Sequence, residues 1–144
     1  MKRKHLKLRA IDAEDLAMIS AILQDALVEL PNLMYRQGEG RFGGYMVRFR
    51  HEDRAPPAGA AIRQVKCAMT INGVAAVRHR GVSQTSRAPL ELLALSTGEE
   101  DEPGHVTLHF AGGGAVRVEV DRLDVRLEDI GEPWSSSLVP AHGG

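Results

Sequence analysis

The chain has 144 residues, 43% of them apolar and 26% charged, with a formal net charge of −1 at pH 7. These values predict one globular domain that buries a core without disulfides, and the single cysteine, Cys67, excludes an internal disulfide and a cysteine zinc site. The longest apolar runs fall well short of the ~20 residues that a membrane-spanning helix needs, so no membrane partner is expected.

The first predicted element is an amphipathic helix that begins after Asp12. This aspartate is a suitable N-cap, and Asp15 stands three residues later, where a capping box has its second polar residue. The helix must end before Pro31, because a proline disfavours the α conformation at the residue before it. The apolar stripe of the helix consists of Leu16, Ile19, Leu23, Ala26 and Leu27.

From residue 33 onward the apolar residues alternate with polar ones, which is typical of β-strands with one buried face. The predicted strands are residues 33–36, 41–50, 62–71, 74–82, 90–97, 105–110, 116–120 and 123–127. The run at 90–97 fits either a buried strand or two helical turns, and we favour a strand. In 41–50, the residues on one face are Tyr45, Val47 and Phe49, and those on the other are Met46, Arg48 and Arg50.

Three connections carry turn signals. Asn72 and Gly73 tolerate positive φ and predict a tight hairpin turn between 62–71 and 74–82. The glycines at 112–114 predict a second hairpin turn. The inward positions change phase between 116–120 and 123–127, which predicts a bulge or bend at residues 121–122.

These elements predict an α+β domain with a mostly antiparallel, strongly curved sheet or partly open β-barrel. The N-terminal helix packs on the sheet, and a pleckstrin-homology-like barrel is one version, offered as analogy. The domain spans residues 1–134. The end of the chain from Gly131 is rich in Pro, Ser and Gly, and residues 135–144 are predicted to be a flexible tail. The basic residues 1–4 precede alternating residues rather than an apolar stretch, so we predict no export signal and a cytoplasmic protein.

Charge is distributed unevenly along the chain. Residues 35–90 hold ten basic and three acidic residues, a net charge of +7, whereas residues 91–144 hold three basic and eleven acidic residues, a net charge of −8. The two halves can neutralise each other within the fold, which is the favoured interpretation, or the basic half can form a binding surface. The candidate binding residues are Arg48, Arg50, Arg78 and Arg80, which would share one surface if their strands are neighbours.

Two patterns that suggest a ligand have simpler explanations. A phosphate-binding loop needs a helix after its glycines, but a strand pattern follows residues 112–114. His105 and His109 lie four residues apart, which on a strand separates their Cα atoms by about 13 Å, too far for one zinc ion. We predict that both histidines face solvent.

The candidate nucleophile and carboxylates also have structural explanations. Cys67 lies on a predicted inward face, where burial raises the thiol pKa and suppresses reactivity. The acidic run at residues 99–102 lacks the spaced ligands and the central glycine of a calcium loop. Asp12 and Asp15 are explained by the helix cap. No catalytic residue, metal site or cofactor is therefore predicted.

The function favoured by these patterns is a non-enzymatic binding or adaptor module that uses a basic β-surface. Its partner would be an acidic protein or a second copy of the chain. A weak nucleic-acid binder is an alternative, although aromatic residues make up only 4% of the chain and few bases can stack. Another alternative is a small enzyme in which two residues among Cys67, His79, His105, His109, Asp12 and Asp15 meet only in three dimensions.

Four segments of the sequence resemble domain-of-unknown-function family 2948, a group of small alphaproteobacterial proteins. They are KLRAIDAEDLAMISAILQD at 7–25, RFGGYMVRFRHED at 41–53, VAAVRHRGV at 74–82 and VTLHFAGGGAVRVEVDRLDVRLEDIG at 106–131. The most specific piece is FAGGGAVRVEV. The resemblance implies an intracellular bacterial protein with an α+β domain, and it implies no activity, ligand or catalytic residue.

Overall fold

The computed structural model describes residues 5–50, 63–83, 86–98 and 104–135. They form a ten-stranded sheet with antiparallel pairing throughout and one α-helix. The elements are β1 Lys7–Ala10, α1 Ala13–Ile22, β2 Leu27–Val28, β3 Leu33–Arg36, β4 Arg41–Phe49, β5 Arg63–Asn72, β6 Val74–Arg80, β7 Leu90–Thr97, β8 His105–Phe110, β9 Ala115–Val120 and β10 Val125–Ser135. The mostly antiparallel sheet with one helix agrees with the prediction, and residues 90–97 form a strand as favoured.

Helix α1 begins at the predicted cap. The Asp12 carboxylate accepts a hydrogen bond of 2.8 Å from the backbone N–H of Asp15, and the Asp15 carboxylate accepts one of 3.3 Å from the backbone N–H of Ile11. Leu16 and Ile19 face the core and are buried. The helix is fixed to β7 because the Leu95 N–H donates to the Ser20 hydroxyl oxygen at 2.9 Å.

The helix is shorter than its predicted apolar stripe. It ends at Ile22, before Pro31 as predicted, but the last three residues of the stripe lie beyond it, and the chain then forms β2. Asp25 adopts a left-handed φ of 71°, and its N–H donates to the Leu92 carbonyl at 2.8 Å. The Leu92 N–H donates in turn to the Ala26 carbonyl at 2.8 Å. Pairing with β7 therefore replaces the hydrogen bonds that a longer helix would make.

The sheet runs in the order β1-β10-β5-β4-β2-β7-β8-β9-β6, with β3 paired to β4 outside this path. Strands β1 and β6 are its two ends, so hydrogen bonding among the described strands does not close the sheet into a barrel. The core lies on the inner face. Its buried side chains include those predicted to point inward, namely Val65, Cys67, Met69, Ile71, Val106, Leu108, Phe110, Val116, Val118, Val120, Leu123, Val125 and Leu127.

Asn72 and Gly73 do not form the predicted hairpin turn. Strands β5 and β6 do not pair with each other, because β5 pairs with β10 and β6 pairs with β9. Together β5–β6 and β9–β10 form one long antiparallel ribbon with a sharp corner. Gly73 has a φ of 70° at this corner, and its carbonyl accepts a hydrogen bond of 2.8 Å from the Asp121 N–H.

On the β9–β10 side of the ribbon, the corner coincides with the bulge or bend predicted at residues 121–122. The Asn72 N–H donates to the Asp124 carbonyl at 2.9 Å. Two residues, Arg122 and Leu123, therefore lie between the bonded positions Asp121 and Asp124 and do not continue the ladder. Leu123, Asp124 and Val125 are all buried in succession, which marks the change of phase. The bend predicted from the alternation is therefore confirmed.

Two glycines in β4 allow its neighbours to approach closely. A Cβ atom on Gly43 would lie 2.0 Å from the Met69 carbonyl oxygen, and one on Gly44 would lie 1.9 Å from the Asn32 carbonyl oxygen. Both obstacles are backbone atoms, which cannot rotate away. The pair of glycines therefore sets the spacing of β4 from β5 and from the start of β3.

The C-terminal part of the sheet extends further than predicted. Residues from Gly131 to Ser135 belong to β10, with Trp134 opposite Gln64 and a register shift after Ile130. Ser135, the first residue of the predicted flexible tail at 135–144, thus belongs to a strand. The rest of that tail and the acidic run at 99–102 lie outside the described residues.

Candidate functional site

Arg48 is not on the surface where the sequence analysis placed it. Its side chain is buried, and Nε and Nη2 each donate to a carboxylate oxygen of Asp129 at 2.8 Å. Arg48 is on β4 and Asp129 is on β10, the two strands that flank β5. In the register, Arg48 pairs with Val65 of β5 and Asp129 pairs with Cys67 of β5. The predicted faces of β4 are correct, but the face that carries Met46 and Arg48 is the buried one.

The bidentate pair satisfies a charge that is too costly to bury alone. It also joins the basic half of the sequence to the acidic half. Cys67 is buried close to it, and burial, together with the charge of Asp129, raises the pKa of its thiol to about 12, against the lowering effect of Arg48. The structural interpretation of Cys67 is therefore supported, because its thiolate is strongly disfavoured.

Arg50 and the two arginines of β6 lie in different parts of the sheet. Arg50 is half-buried beyond the end of β4, and its backbone N–H donates to the Arg63 carbonyl at 2.9 Å. Strand β4 is separated from β6 by β2, β7, β8 and β9 in the strand order. The four predicted arginines consequently do not share one surface.

Arg78 and Arg80 instead combine with a third arginine that the sequence analysis did not select. All three line a cleft of about 620 Å³ on the outer side of β6, β9 and β8. Arg117 of β9 is the direct cross-strand partner of Arg78. The remaining lining residues are His79, Leu93, Thr107, His109, Phe110, Gly112, Gly113, Gly114 and Ala115.

The cleft carries an excess of positive charge. Arg78 donates from Nε to a Glu119 carboxylate oxygen at 2.9 Å, an exposed pair that contributes little to stability. Within the described residues, Arg80 and Arg117 have no carboxylate at ion-pair distance, so three guanidiniums face one carboxylate. Burial and the charge of Arg117 lower the pKa of His105, against the opposing charge of Glu119. The positive charge of Arg117 on β9 thus disfavours protonation of His105 on the neighbouring strand β8.

The glycines at residues 112–114 shape one end of the cleft. They form the turn of the β8–β9 hairpin, as predicted, with the Phe110 N–H donating to the Gly114 carbonyl at 2.9 Å. A Cβ atom on Gly114 would lie 2.9 Å from the Gly81 carbonyl oxygen. The turn therefore packs directly against the end of β6, next to Arg80.

Most of the side chains that would favour an enzyme lie apart. Asp12 and Asp15 cap the helix, and Cys67 is in the core. His79 and His109 both line the cleft, and His105 is half-buried rather than fully exposed to solvent. In the described ranges no hydrogen bond joins two of these six side chains.

One contact was not anticipated from the sequence. The hydroxyl of Ser96 on β7 lies 2.7 Å from Nε2 of His109 on β8, diagonally across the strand pair. A serine and a histidine at this distance are the first two parts of a nucleophile–base arrangement. Both side chains lie at the exposed side of the sheet.

Arg117 could have been found from the alternation alone, since it stands between the inward residues Val116 and Val118 and must face outward. Its position beside Arg78 could not, because the predicted hairpin at residues 72–73 would have paired β6 with β5. The register between β6 and β9 is a long-range property of the ribbon.

In the part of the chain that the structure describes, no helix is long and apolar enough to cross a membrane. Over the same residues, no group of three or more His, Cys, Asp or Glu side chains is arranged to hold a metal ion.

The molecule is thus a mostly antiparallel sheet domain with one helix and a cationic cleft. The chain belongs to the family described as "Protein of unknown function (DUF2948)", whose model matches residues 6–142. This finding confirms the resemblance noted from the sequence. No curated protein and no solved structure matches the chain.

Proposed function

We propose that the protein is a binding module whose cleft, lined by Arg78, Arg80 and Arg117, holds an acidic segment of a partner protein. The observation that carries this proposal is the excess of guanidinium groups over carboxylates within one concave surface. Arginine presents a planar fork of donors that matches a carboxylate. Arg80 and Arg117 have no carboxylate partner among the described residues, so their donors can bind one from another protein.

Some of the unevenly distributed charges neutralise each other within the fold. The ion pairs Arg48–Asp129 and Arg78–Glu119 each join a residue of the basic half to one of the acidic half. This is the self-neutralising arrangement that the sequence analysis favoured. Within the cleft, this arrangement leaves Arg80 and Arg117 as the charges that a partner can pair with. They differ from the set of four arginines that the sequence suggested.

An acidic protein fits the cleft better than a nucleic acid does. Phe110 lines the cleft but is 2% exposed, so it offers no platform for a base. The rings of His79 and His109 are the exposed ones in the lining, and they are smaller stacking surfaces than Phe, Tyr or Trp. Three arginines would supply only a weak and strongly salt-dependent attachment to DNA or RNA.

The test is a titration with a fluorescently labelled peptide of alternating Glu and Thr residues, followed by anisotropy at low and moderate salt. Arg80→Gln and Arg117→Gln should each weaken binding about tenfold, as expected for loss of one charge-assisted contact. The matched control is Arg36→Gln, which changes an exposed arginine on β3 outside the cleft. Equal weakening by the control, or no binding by the parent protein, would refute the proposal.

A second candidate function rests on the Ser96–His109 contact. In this alternative, the serine is a nucleophile, the histidine is its base, and the adjacent guanidiniums hold an anionic substrate. Incubation with p-nitrophenyl acetate and with a fluorophosphonate probe tests it. Covalent labelling of Ser96 that disappears in His109→Gln would support the enzyme, whereas equal labelling of an unrelated exposed serine would exclude it.

The proposal also includes the cytoplasm of a bacterium as the setting and a pleckstrin-homology-like barrel as the architecture. The single cysteine supports the first part, because disulfide-free chains are typical of reducing compartments. The sharp corner in the β5–β6 and β9–β10 ribbon supports the second, because such corners fold a sheet over its own core.

A further inference from the structure

We propose that the acidic partner binds as an added β-strand along the outer edge of β6, with its carboxylates directed into the arginine-lined cleft. This inference rests on the proposed function and specifies how the partner is held. Strand addition supplies affinity through main-chain hydrogen bonds and specificity through alternate side chains.

Strand β6 presents an edge on which a partner can pair. It is the last strand of the sheet and pairs with β9 on one side. On its other side, within the described residues, the Val74 N–H donates to the Gly40 carbonyl at 2.9 Å. Past this contact, at residues 75–80, the described structure has no further pairing on that side. Alternate residues there direct their N–H and C=O groups away from β9, where a partner strand could bond to them.

The side chains of β6 define which strand would fit. Arg78 and Arg80 lie two residues apart and therefore project to the same face. Residues directly opposite each other on antiparallel strands have Cβ atoms about 5 Å apart. A partner with acidic residues at alternate positions would place one carboxylate beside each arginine. Long glutamate side chains would also reach toward Arg117, one strand further in.

The same arginines select against a wrong occupant. Positive charges on an edge strand deter pairing with another copy of that strand, because like charges would stand opposite each other. Two β6 strands meeting edge to edge would place Arg78 and Arg80 among the arginines of the other copy. An acidic strand reverses this repulsion, so the edge favours an acidic partner over self-association through β6.

The experiment uses the full-length protein and three versions of an acetylated, amidated seven-residue peptide of alternating Glu and Thr. One version is unmodified, one carries backbone N-methyl groups at the Thr positions, and one carries them at the Glu positions. In an added strand, only every second N–H faces β6. We expect one methylated version to lose binding by about tenfold or more and the other to bind like the parent.

The outcomes distinguish two claims, that the cleft binds an acidic segment and that this segment pairs as a strand with β6. If both methylated peptides bind like the parent while Arg80→Gln and Arg117→Gln still weaken binding, strand addition is wrong and the anionic cleft stands. If the unmodified peptide does not bind, or binds equally to the arginine variants, both are wrong. Tighter binding of a ten-nucleotide poly-dT than of any peptide would also overturn the inference, in favour of a nucleic acid.

Discussion

Replacing Arg48 by methionine should strongly destabilise the fold. Methionine keeps the length and packing of the side chain but leaves the Asp129 carboxylate buried, 6% exposed, without its two 2.8 Å hydrogen bonds. Removing one partner of a buried ion pair costs about 3–5 kcal/mol. That is a large part of a total stability of roughly 5–15 kcal/mol. A chain of this size loses about 3–4 °C of Tm per kcal/mol, so Tm should fall by roughly 10–20 °C.

Urea unfolding followed by circular dichroism measures this loss, and a double variant tests its cause. Arg48→Met combined with Asp129→Leu removes both charges and should recover most of the lost stability, because apolar replacement of a whole buried pair is close to neutral. The control is Arg36→Met on exposed β3, expected to change stability by less than about 0.5 kcal/mol. A loss below about 1 kcal/mol for Arg48→Met, or no recovery in the double variant, would refute the reasoning.

Three other perturbations have defined outcomes in the same unfolding assay. Gly43→Ala should cost about 1–3 kcal/mol because its Cβ meets backbone, whereas Gly38→Ala, with open space around it, should be neutral. Burial alone would raise the pKa of Asp124, but its hydrogen bonds and neighbouring arginines hold it below its usual range. The stability it contributes is therefore present above its ordinary pKa and lost as pH falls through the folded value, so the deficit of Asp124→Asn should shrink in acid. The hydrogen bond with Asp25, then burial and the charge of Asp25, raise the pKa of Glu91. Glu91→Gln should therefore raise stability near neutral pH and lose this advantage at acid pH, and a constant difference would contradict the assignment.

Alternation along the chain was sufficient to find most of the strands and the core. The inward positions of β5, β8 and β9 follow from the period of two, and the phase change near residue 121 correctly located a bend. These features depend on neighbours in sequence. The sheet order and the register between β6 and β9 do not, which is why the cleft formed by Arg78, Arg80 and Arg117 was only half anticipated.

The errors occurred where a distant segment overrode a local preference. Leu23 and Ala26 continue the helical spacing, but hydrogen bonds with Leu92 hold residues 25–26 against β7 instead. Asn72 and Gly73 have the composition of a hairpin turn. Instead, β5 pairs with β10 and β6 pairs with β9, so the chain makes a corner at these residues rather than reversing its direction. Arg48 looked like a surface residue because its partner, Asp129, lies 81 positions away in the chain.

The place of β10 in the sheet bears on how the protein acquires its structure during synthesis. It is the last described strand to leave the ribosome, yet it lies between β1 and β5, two strands made much earlier. Before residues 125–135 are synthesised, β1 lacks the strand it pairs with, and Arg48 lacks the Asp129 carboxylate that neutralises its charge. The native sheet therefore cannot be complete until the final strand has been synthesised and has paired with both β1 and β5.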